Sequence, residues 1–108
     1  METTPSKSLS GDDAANLASR FKLLSDPGRI QIVYALIEHG ELRVGEIAEM
    51  IGASESATSH QLRQLRMAEL VRTTRHGREI HYRIADVHVR LLLDVAVEHY
   101  LHGHREQP

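Results

Sequence analysis

Residues 44–68 read VGEIAEMIGASESATSHQLRQLRMA, and this stretch decides the fold because it contains two short helical patterns separated by a turn. The first pattern ends at Gly52, since glycine readily adopts the left-handed conformation that commonly follows a helix. The next two residues form the turn, and Ser54 is a natural N-cap for a second helix over about residues 55–68. Two short helices joined in this way predict a helix-turn-helix.

The periodicity of the sequence changes after this pair of helices. Residues 71–75 and 79–84 are rich in β-branched residues and include a tyrosine, so they are predicted to form two strands. His76-Gly77 is predicted to form the turn between them, because glycine adopts a positive φ at little cost. A helix-turn-helix followed by a β-hairpin is a winged helix, and the predicted fold class is therefore mainly α (α+β).

Two more helical patterns precede residue 44. The first begins at Asp12. The second is predicted to begin at Asp26-Pro27, an N-cap followed by a first-turn proline, and to end at Gly40.

The composition limits the class of protein. A chain of 108 residues forms one domain, and dimerisation helps a domain of this size because it buries only a modest fraction of its surface alone. The absence of cysteine excludes disulfides, thiolate metal sites and cysteine nucleophiles. The sequence contains neither an apolar run of about 20 residues, which a membrane-spanning helix requires, nor a signal-peptide pattern. We therefore expect a soluble, cytoplasmic protein with no membrane partner.

The charge is distributed unevenly along the chain. The formal net charge is −2, yet residues 54–84 contain six arginines against three glutamates, a local charge of +3 that leaves −5 on the remainder. A basic segment on an acidic body is compatible with a surface that binds double-stranded DNA.

The second helix of the helix-turn-helix has two different faces. Thr58, Leu62 and Leu65 share one face and are predicted to pack inward. The opposite face carries hydroxyls near the N-terminus and a cation further along, and such groups contact phosphates and base edges. The predicted DNA-contacting residues are Ser54, Ser56, Ser59, His60, Gln61 and Arg63 on this helix and Arg75, His76 and Arg78 around the hairpin turn. The alternative is an ordinary solvated face and a soluble turn with incidental charges.

The C-terminal segment, residues 84–104, reads IADVHVRLLLDVAVEHYLHGH and combines an apolar block with potential metal ligands. Asp86 is predicted to be an N-cap with His88 in the first turn, whereas His99 and His102 are three residues apart and share one helical face. Between His88 and His99 the helix rises by about 16 Å at about 1.5 Å per residue, whereas metal–nitrogen bonds measure only about 2.0–2.1 Å.

The two ligand pairs can therefore meet at one ion only if two copies of this helix run antiparallel. Asp86 and His88 of one copy then face His99 and His102 of the other, and symmetry gives two equivalent sites per homodimer. The chain thus divides into a disordered N-terminal tail (1–11), a winged helix-turn-helix domain for DNA binding and dimerisation (12–104) and a C-terminal tail (105–108).

Each candidate ligand also has a simpler explanation. Asp86 can serve as an N-cap alone, and His102 as a favourable cation at a helix C-terminus. His104 follows a glycine and is either a fifth ligand or a residue of the frayed tail. His39 and His81 are interpreted as isolated structural histidines.

Three segments of the chain resemble the ArsR/SmtB family of bacterial metal-sensing repressors. They read LLSDPGRIQIVYAL, ELRVGEIAEMIGASESATSHQLRQLRMAELV and GREIHYRIADVHVRLLLDVAVEHYLHGH, and the likeness covers residues from about 14 to 104. The resemblance implies a homodimeric winged helix that binds operator DNA when metal-free. It also implies that metal bound by Asp86, His88, His99 and His102 weakens DNA binding and derepresses metal export or sequestration genes.

The chain departs from the family at one position. Some members carry a cysteine in the segment that here reads ELRV, and Arg43 stands where that thiolate would be. Because the chain contains no cysteine, sensing of thiophilic ions such as cadmium, lead, arsenic and Cu(I) is excluded. Three imidazoles and one carboxylate suit tetrahedral Zn(II), with Co(II) or Ni(II) as alternatives, although nickel prefers more ligands.

Three other functions are compatible with parts of the sequence. The first is a winged-helix repressor that responds to a non-metal signal, with incidental histidines. The second is a metal-dependent hydrolase, which needs an open coordination position and a general base that a four-ligand site does not offer. The third is a metal store or carrier, for which Ser56, Ser59 and Arg63 have no role.

Overall fold

The computed structural model describes residues 8–105, which form five helices and one β-hairpin. The elements in chain order are α1 (Gly11–Leu24), α2 (Pro27–His39), α3 (Val44–Ile51), α4 (Glu55–Met67), β1 (Val71–His76), β2 (Glu79–Ile84) and α5 (Val87–Arg105). The α3–α4 pair and the hairpin confirm the predicted winged helix. Residues 1–7 and 106–108, which make up most of the predicted tails, lie outside the described residues.

Polar caps begin α2 and α4 at the predicted residues. The Asp26 carboxylate accepts a hydrogen bond from the Arg29 N–H at 3.0 Å, and Pro27 is the first residue of α2. The Ser54 hydroxyl accepts from the Ala57 N–H at 3.0 Å at the start of α4. Each cap satisfies an amide that the first helical turn leaves without an intrahelical partner.

Helix α1 begins one residue earlier than predicted, at Gly11. The reason is a reciprocal capping box, in which the Ser10 hydroxyl accepts from the Asp13 N–H at 3.0 Å and the Asp13 carboxylate accepts from the Ser10 N–H at 3.2 Å. Arg20 ties the helix to the end of α4, because its Nε donates to the Ala68 carbonyl at 3.0 Å.

The turn of the hairpin differs from the prediction by one residue. The strands pair antiparallel, and the last pair before the turn is His76 with Glu79. The turn therefore consists of Gly77 and Arg78, and the predicted His76-Gly77 turn is wrong because His76 still belongs to β1. The expected positive φ is confirmed, since Gly77 has a φ of 65°.

The connection between α2 and α3 joins the hairpin through a single bridge. The Leu42 N–H donates to the Tyr82 carbonyl at 3.1 Å, and the Tyr82 N–H donates to the Leu42 carbonyl at 2.8 Å. Residues 41–43 therefore lie beside β2, on the edge that β1 does not occupy. This bridge brings the segment before α3 against the wing.

The core is aliphatic and draws on every helix and on β1. The largest fully buried side chains are Ile32, Val33, Leu36, Ile47, Thr58, Leu62, Leu65 and Val71. The inward face predicted for α4 is thereby confirmed. Thr58 is accommodated in this apolar environment because its hydroxyl donates to the Ser54 carbonyl at 2.8 Å.

Helix α5 packs against the body along one face only. Leu93 is buried, whereas Val89 and Val97 are half-buried. The opposite side is open and apolar, with Val87, Leu91, Leu92 and Val95 all exposed.

The helix does not end at Gly103. Gly103 lacks the positive φ found at Gly40 and Gly52, and the helix continues to Arg105. The backbone of His104 is therefore helical, while its side chain lies outside the described part of the structure.

Candidate DNA-binding face and metal ligands

The outward face of α4 presents the groups predicted to contact DNA. Ser56, His60 and Arg63 are exposed and Ser59 is half-buried, all on the side opposite the core. Hydroxyls close to a helix N-terminus are suited to phosphate, and an arginine further along is suited to phosphate or guanine.

Two of the predicted DNA contacts also position α4 within the chain. The Ser54 hydroxyl already accepts the capping hydrogen bond of α4. Gln61 is half-buried and lies against the first turn of α2, since a Cβ added at Gly28 would lie 3.3 Å from Gln61 Oε1. Both residues therefore fix the orientation of the helix, whatever contact they make with DNA.

The wing tip presents two arginines and directs its histidine elsewhere. Arg75 and Arg78 are exposed, and Arg75 Nε donates to the Gly77 carbonyl at 3.0 Å, which holds the guanidinium against the turn. His76 Nε2 instead lies 2.9 Å from Glu41 Oε1 in the α2–α3 connection. The three residues predicted as one group at the tip thus have two different surroundings.

Asp86 caps α5, as predicted. Its Oδ1 accepts hydrogen bonds from the His88 N–H at 2.9 Å and from the Val89 N–H at 3.0 Å. The hydrogen bond from Val89 is the largest cause that lowers the pKa of Asp86 below its ordinary value. The His88 imidazole is almost fully exposed, and its Nδ1 lies 3.8 Å from the same carboxylate oxygen.

The three histidines predicted as ligands on α5 share one exposed helical face with its apolar residues. At 3.6 residues per turn, His88, His99 and His102 fall within an arc of about 60°. The exposed Val95 lies inside that arc, and the exposed Leu91 and Leu92 lie about 20° beyond its two edges.

One chain does not gather these four ligands. Among the described side chains, no three potential metal ligands of α5 lie close enough together to share an ion, whereas a different group does. This agrees with the separation of about 16 Å expected between His88 and His99 along one helix.

The group that the structure does gather is Glu41, His76 and His81, each of which offers a ligand atom within 4.8 Å of the other two. His81, interpreted from the sequence as isolated, is not isolated, because its ring meets that of His76 at a centroid distance of 4.6 Å. Its Nε2 lies 3.2 Å from Glu79 Oε1. Strand alternation could have indicated the contact between His81 and Glu79, because the two residues are two apart and lie on one face of β2.

Arg43, at the position where some family members carry cysteine, forms an ion-pair network beside this group. Its guanidinium lies 3.4 Å from Glu46 Oε1 and 3.5 Å from Glu79 Oε2. The side-chain hydrogen bond to Glu46 is the main cause that raises the pKa of Arg43. The pKa of Glu46 is lowered, chiefly because the Arg43 N–H donates to its carboxylate at 2.8 Å.

The fold and its exposed groups define a class, the winged-helix DNA-binding regulators. The model of the bacterial regulatory proteins of the arsR family matches residues 26–73, from the cap of α2 into β1. No helix in the described range 8–105 has the length and apolar character needed to traverse a bilayer.

Related proteins cover nearly the whole chain. The chain is 45% identical over 100 residues to the HTH-type transcriptional regulator NmtR of Mycobacterium tuberculosis, covering 93% of this chain and 82% of NmtR. It is 42% identical over 91 residues to the transcriptional repressor SmtB homologue of Synechocystis sp., covering 84% of this chain and 68% of that protein.

Two solved structures are similar to the chain over most of its length. The solution structure of apo-NmtR has a TM-score of 0.76 at 42% identity, covering 99% of this chain and 89% of that one. The homodimeric winged helix-turn-helix domain of Mb0332 from Mycobacterium bovis has a TM-score of 0.74 at 32% identity, covering 94% of this chain and 100% of that one.

The chain belongs to the ArsR/SmtB family of bacterial transcriptional regulators. It is a DNA-binding regulator and not an enzyme, and the hydrolase interpretation is therefore set aside.

Proposed function

We propose that the protein is a metal-responsive repressor that acts in the cytoplasm as a homodimer. The metal-free dimer binds a two-fold operator, and a divalent metal ion weakens that binding and derepresses genes for metal export or homeostasis. The observation that carries this proposal is the exposed arc of α5, which places three histidines and an unpaired apolar stripe on one surface.

The proposed metal sites lie between two α5 helices that run antiparallel. Asp86 and His88 of one subunit face His99 and His102 of the second subunit, so that a dimer holds two ions. Both ends of the helix fit this arrangement, because Asp86 caps its start with His88 in the first turn, and His99 and His102 lie in its last turns. His104 is a further candidate ligand, because the helix reaches its position.

The apolar surface of the terminal helices supports the proposed dimer. Leu91 and Val95 on α5 are 54% and 66% exposed, and Leu17 and Phe21 on α1 are 44% and 50% exposed. A 108-residue chain rarely leaves this many large apolar side chains in water without covering them. The homodimeric state of the Mb0332 domain is consistent with the same arrangement here.

The proposed DNA surface combines α4 with the wing. Ser54, Ser56, Ser59, His60, Gln61 and Arg63 form the part in the major groove, and Arg75 and Arg78 form the part along the backbone. His76, which the sequence also predicts there, is instead directed toward Glu41. In a dimer the two α4 helices must lie about 34–36 Å apart to read one face of the duplex. A metal ion that bridges two α5 helices changes or fixes the angle between subunits, and it thereby opposes that spacing.

The donor set favours Zn(II), with Co(II) or Ni(II) as alternatives. Imidazole nitrogens and one carboxylate are the ligands that a tetrahedral Zn(II) site uses. The chain contains no thiolate to select a softer ion.

The test is a titration of DNA binding with metal. A duplex selected from a random library by the metal-free protein is labelled, and its release is followed by fluorescence anisotropy with Zn(II), Co(II), Ni(II) and Mg(II). We expect Zn(II) to reduce DNA affinity by a coupling of about 1–3 kcal/mol, with Mg(II) inert. His99→Ala should bind the duplex normally and lose the response to Zn(II).

The matched control is His39→Ala, which removes an exposed histidine from the end of α2. It should behave as the wild type in both measurements. Release of DNA by Zn(II) from the His99→Ala variant would contradict the ligand assignment. A wild-type protein that binds no metal by elemental analysis would indicate a repressor with a non-metal signal.

A further inference from the structure

The Glu41–His76–His81 group lies within one subunit and is separate from the ligands proposed on α5. His76 Nε2 lies 2.9 Å and His81 Nδ1 lies 3.9 Å from the same oxygen, Glu41 Oε1. In a tetrahedral site with bonds of about 2.0–2.1 Å, ligand atoms are separated by about 3.3 Å. The separations found here bracket that value, so small side-chain rotations suffice to enclose an ion.

One nitrogen in this group has no partner in the metal-free chain. His81 Nδ1 is buried and accepts or donates no hydrogen bond, which is unusual because buried polar atoms are nearly always satisfied. The other nitrogen of the ring, Nε2, lies 3.2 Å from Glu79 Oε1. An Nε2–H that donates to Glu79 leaves a lone pair on Nδ1, and this is the tautomer that binds a metal ion.

The pairing of the strands explains why these residues meet. His76 pairs with Glu79, and alternation places Glu79 and His81 on the same face of the hairpin. The Leu42–Tyr82 bridge then adds the α2–α3 connection as a third strand-like edge, with Glu41 on that face. Backbone hydrogen bonds thus hold the two strands of the hairpin and the distant α2–α3 connection together before any ion binds.

The surrounding charge favours a cation. Glu41, Glu46 and Glu79 are close to the histidines, whereas the nearby Arg43 is already paired with Glu46 and Glu79. Arg83 shares the face, but its Nε donates to the Thr74 hydroxyl at 3.0 Å. The carboxylates outnumber the guanidinium beside the histidines, and the arginines have partners of their own.

An ordinary histidine–glutamate ion pair accounts for less of this geometry. Such a pair explains the 2.9 Å contact between His76 and Glu41, which is half-exposed and worth little in water. It does not explain why His81 Nδ1 is buried without a partner and directed toward the same carboxylate.

We propose that Glu41, His76 and His81 form a second divalent-metal site, specific for imidazole-binding ions such as Zn(II) and Co(II), with Glu79 orienting His81 and a water completing the coordination. All three ligands come from one chain, so the site fills in a monomer as well as in a dimer. A bound ion joins the wing to the segment that precedes α3. It thereby restrains the wing arginines relative to the recognition helix.

The test uses Co(II) as a visible probe and Zn(II) as its competitor on the full-length protein. Absorption titrations are made on His99→Ala, in which the α5 sites are disabled, and on the same chain with His76→Ala or Glu41→Gln added. We expect His99→Ala to retain one Co(II) per chain. Each added substitution should weaken that binding by at least about 10–100-fold, the range seen when even an orienting residue is lost.

Matched controls make the same chemical changes nearby. Glu38 and His39 are both exposed at the end of α2. His39→Ala is the control for His76→Ala, and Glu38→Gln is the control for Glu41→Gln. Neither control should change Co(II) binding. An NMR spectrum of the imidazole nitrogens should show the Nδ1 resonance of His81 shifting with Zn(II). Because Glu41→Gln keeps the size of an exposed side chain, it is not expected to disturb folding.

Unchanged Co(II) affinity in either ligand variant, or an Nδ1 resonance that ignores Zn(II), would overturn the proposal. The outcome is independent of the proposed function, which depends on release of DNA through His99. If His99→Ala no longer releases DNA and also binds no Co(II), the α5 ligand assignment is supported and the wing site is refuted.

Discussion

The wing and α5 both carry histidines, but the fold treats the two sets differently. In the wing group, Glu41 precedes His76 by 35 residues and His81 by 40 residues along the chain. A ligand atom of each nevertheless lies within 4.8 Å of the other two. On α5, His88 and His99 are close in sequence and separated by about 16 Å along the axis. Strand pairing gathers remote residues, whereas a helix separates near ones.

This difference predicts different concentration dependences. The wing group is complete in one chain, so its metal affinity should not vary with protein concentration. The α5 ligands need a second subunit, so their affinity should follow the dimerisation equilibrium. Substitutions in α5, in the wing and in α4 test how the two groups and the DNA-binding face depend on one another.

The largest effect is expected from Val95→Glu. Val95 is 66% exposed in one chain, so the substitution should not unfold it, but it places a charge at the centre of the proposed α5 interface. A buried unpaired charge costs about 3–5 kcal/mol, and the dimer should dissociate. Analytical ultracentrifugation should report a monomer that retains the wing site and loses both DNA binding and the α5 sites.

Val95→Ala is the control for this substitution, because it removes side-chain volume without adding a charge. A Val95→Glu variant that stays dimeric would contradict the proposed interface. A monomer that also loses wing-site Co(II) binding would show that the two groups are not independent.

A smaller effect is expected from Arg78→Ala at the wing tip. The guanidinium is exposed and is proposed to contact phosphate, so its loss should reduce the slope of log K against log salt concentration by about 0.9. The loss of affinity should be the same on all DNA sequences, because a phosphate contact does not read the bases. Affinity measurements on several DNA sequences over a series of salt concentrations check both expectations.

Arg63→Ala on α4 provides the contrast. Loss of a base-contacting arginine should cost about 1–3 kcal/mol of DNA-binding free energy and should change the sequence preference, whereas loss of a phosphate contact should not change it. If Arg63→Ala, like Arg78→Ala, reduces affinity equally for all DNA sequences, then Arg63 contacts the DNA backbone as well.

The smallest effect concerns the cap of α5. The pKa of Asp86 is lowered, mainly because the Val89 N–H donates to its carboxylate. A carboxylate with a lowered pKa in the folded state stabilises the fold at pH values above its unfolded pKa of about 3.9, and this stabilisation is lost as pH falls through the lower folded value. With metal removed by chelation, Asp86→Asn should therefore flatten the acid limb of the stability–pH curve.

Asp94→Asn makes the same charge change in the middle of α5 and serves as the control. Thermal unfolding between pH 2 and pH 6 measures the difference between the two variants. A steeper acid limb in Asp86→Asn than in wild type would contradict the capping role.

Local chemistry made much of the fold predictable. Asp26, Ser54 and Gly52 act within one helical turn of themselves, and each begins or ends its helix as expected. The errors are also local. The turn lies one residue later than predicted because His76 pairs with Glu79 and therefore extends β1.

The candidate sites divide in the same way. The proposed α5 ligand set rests on helical spacing and on the resemblance to the ArsR/SmtB family, both of which can be read from the sequence. His81 was misjudged because its neighbours come from β1 and from the α2–α3 connection, and a linear pattern does not reveal which segments pair. The position of His76 beside Gly77 predicts a side chain at the tip, whereas in the structure its ring lies against Glu41.

The sequence alone determined the class of this protein: the order of helices, the helix-turn-helix with its wing, and the histidine spacing on the last helix. These depend on periodicity and caps, which act over a few residues. Tertiary structure decided which side chains from distant segments share a space, as at Glu41, His76 and His81. The physical reason is that strand register and burial are set by the whole core, and no short stretch of sequence contains that information.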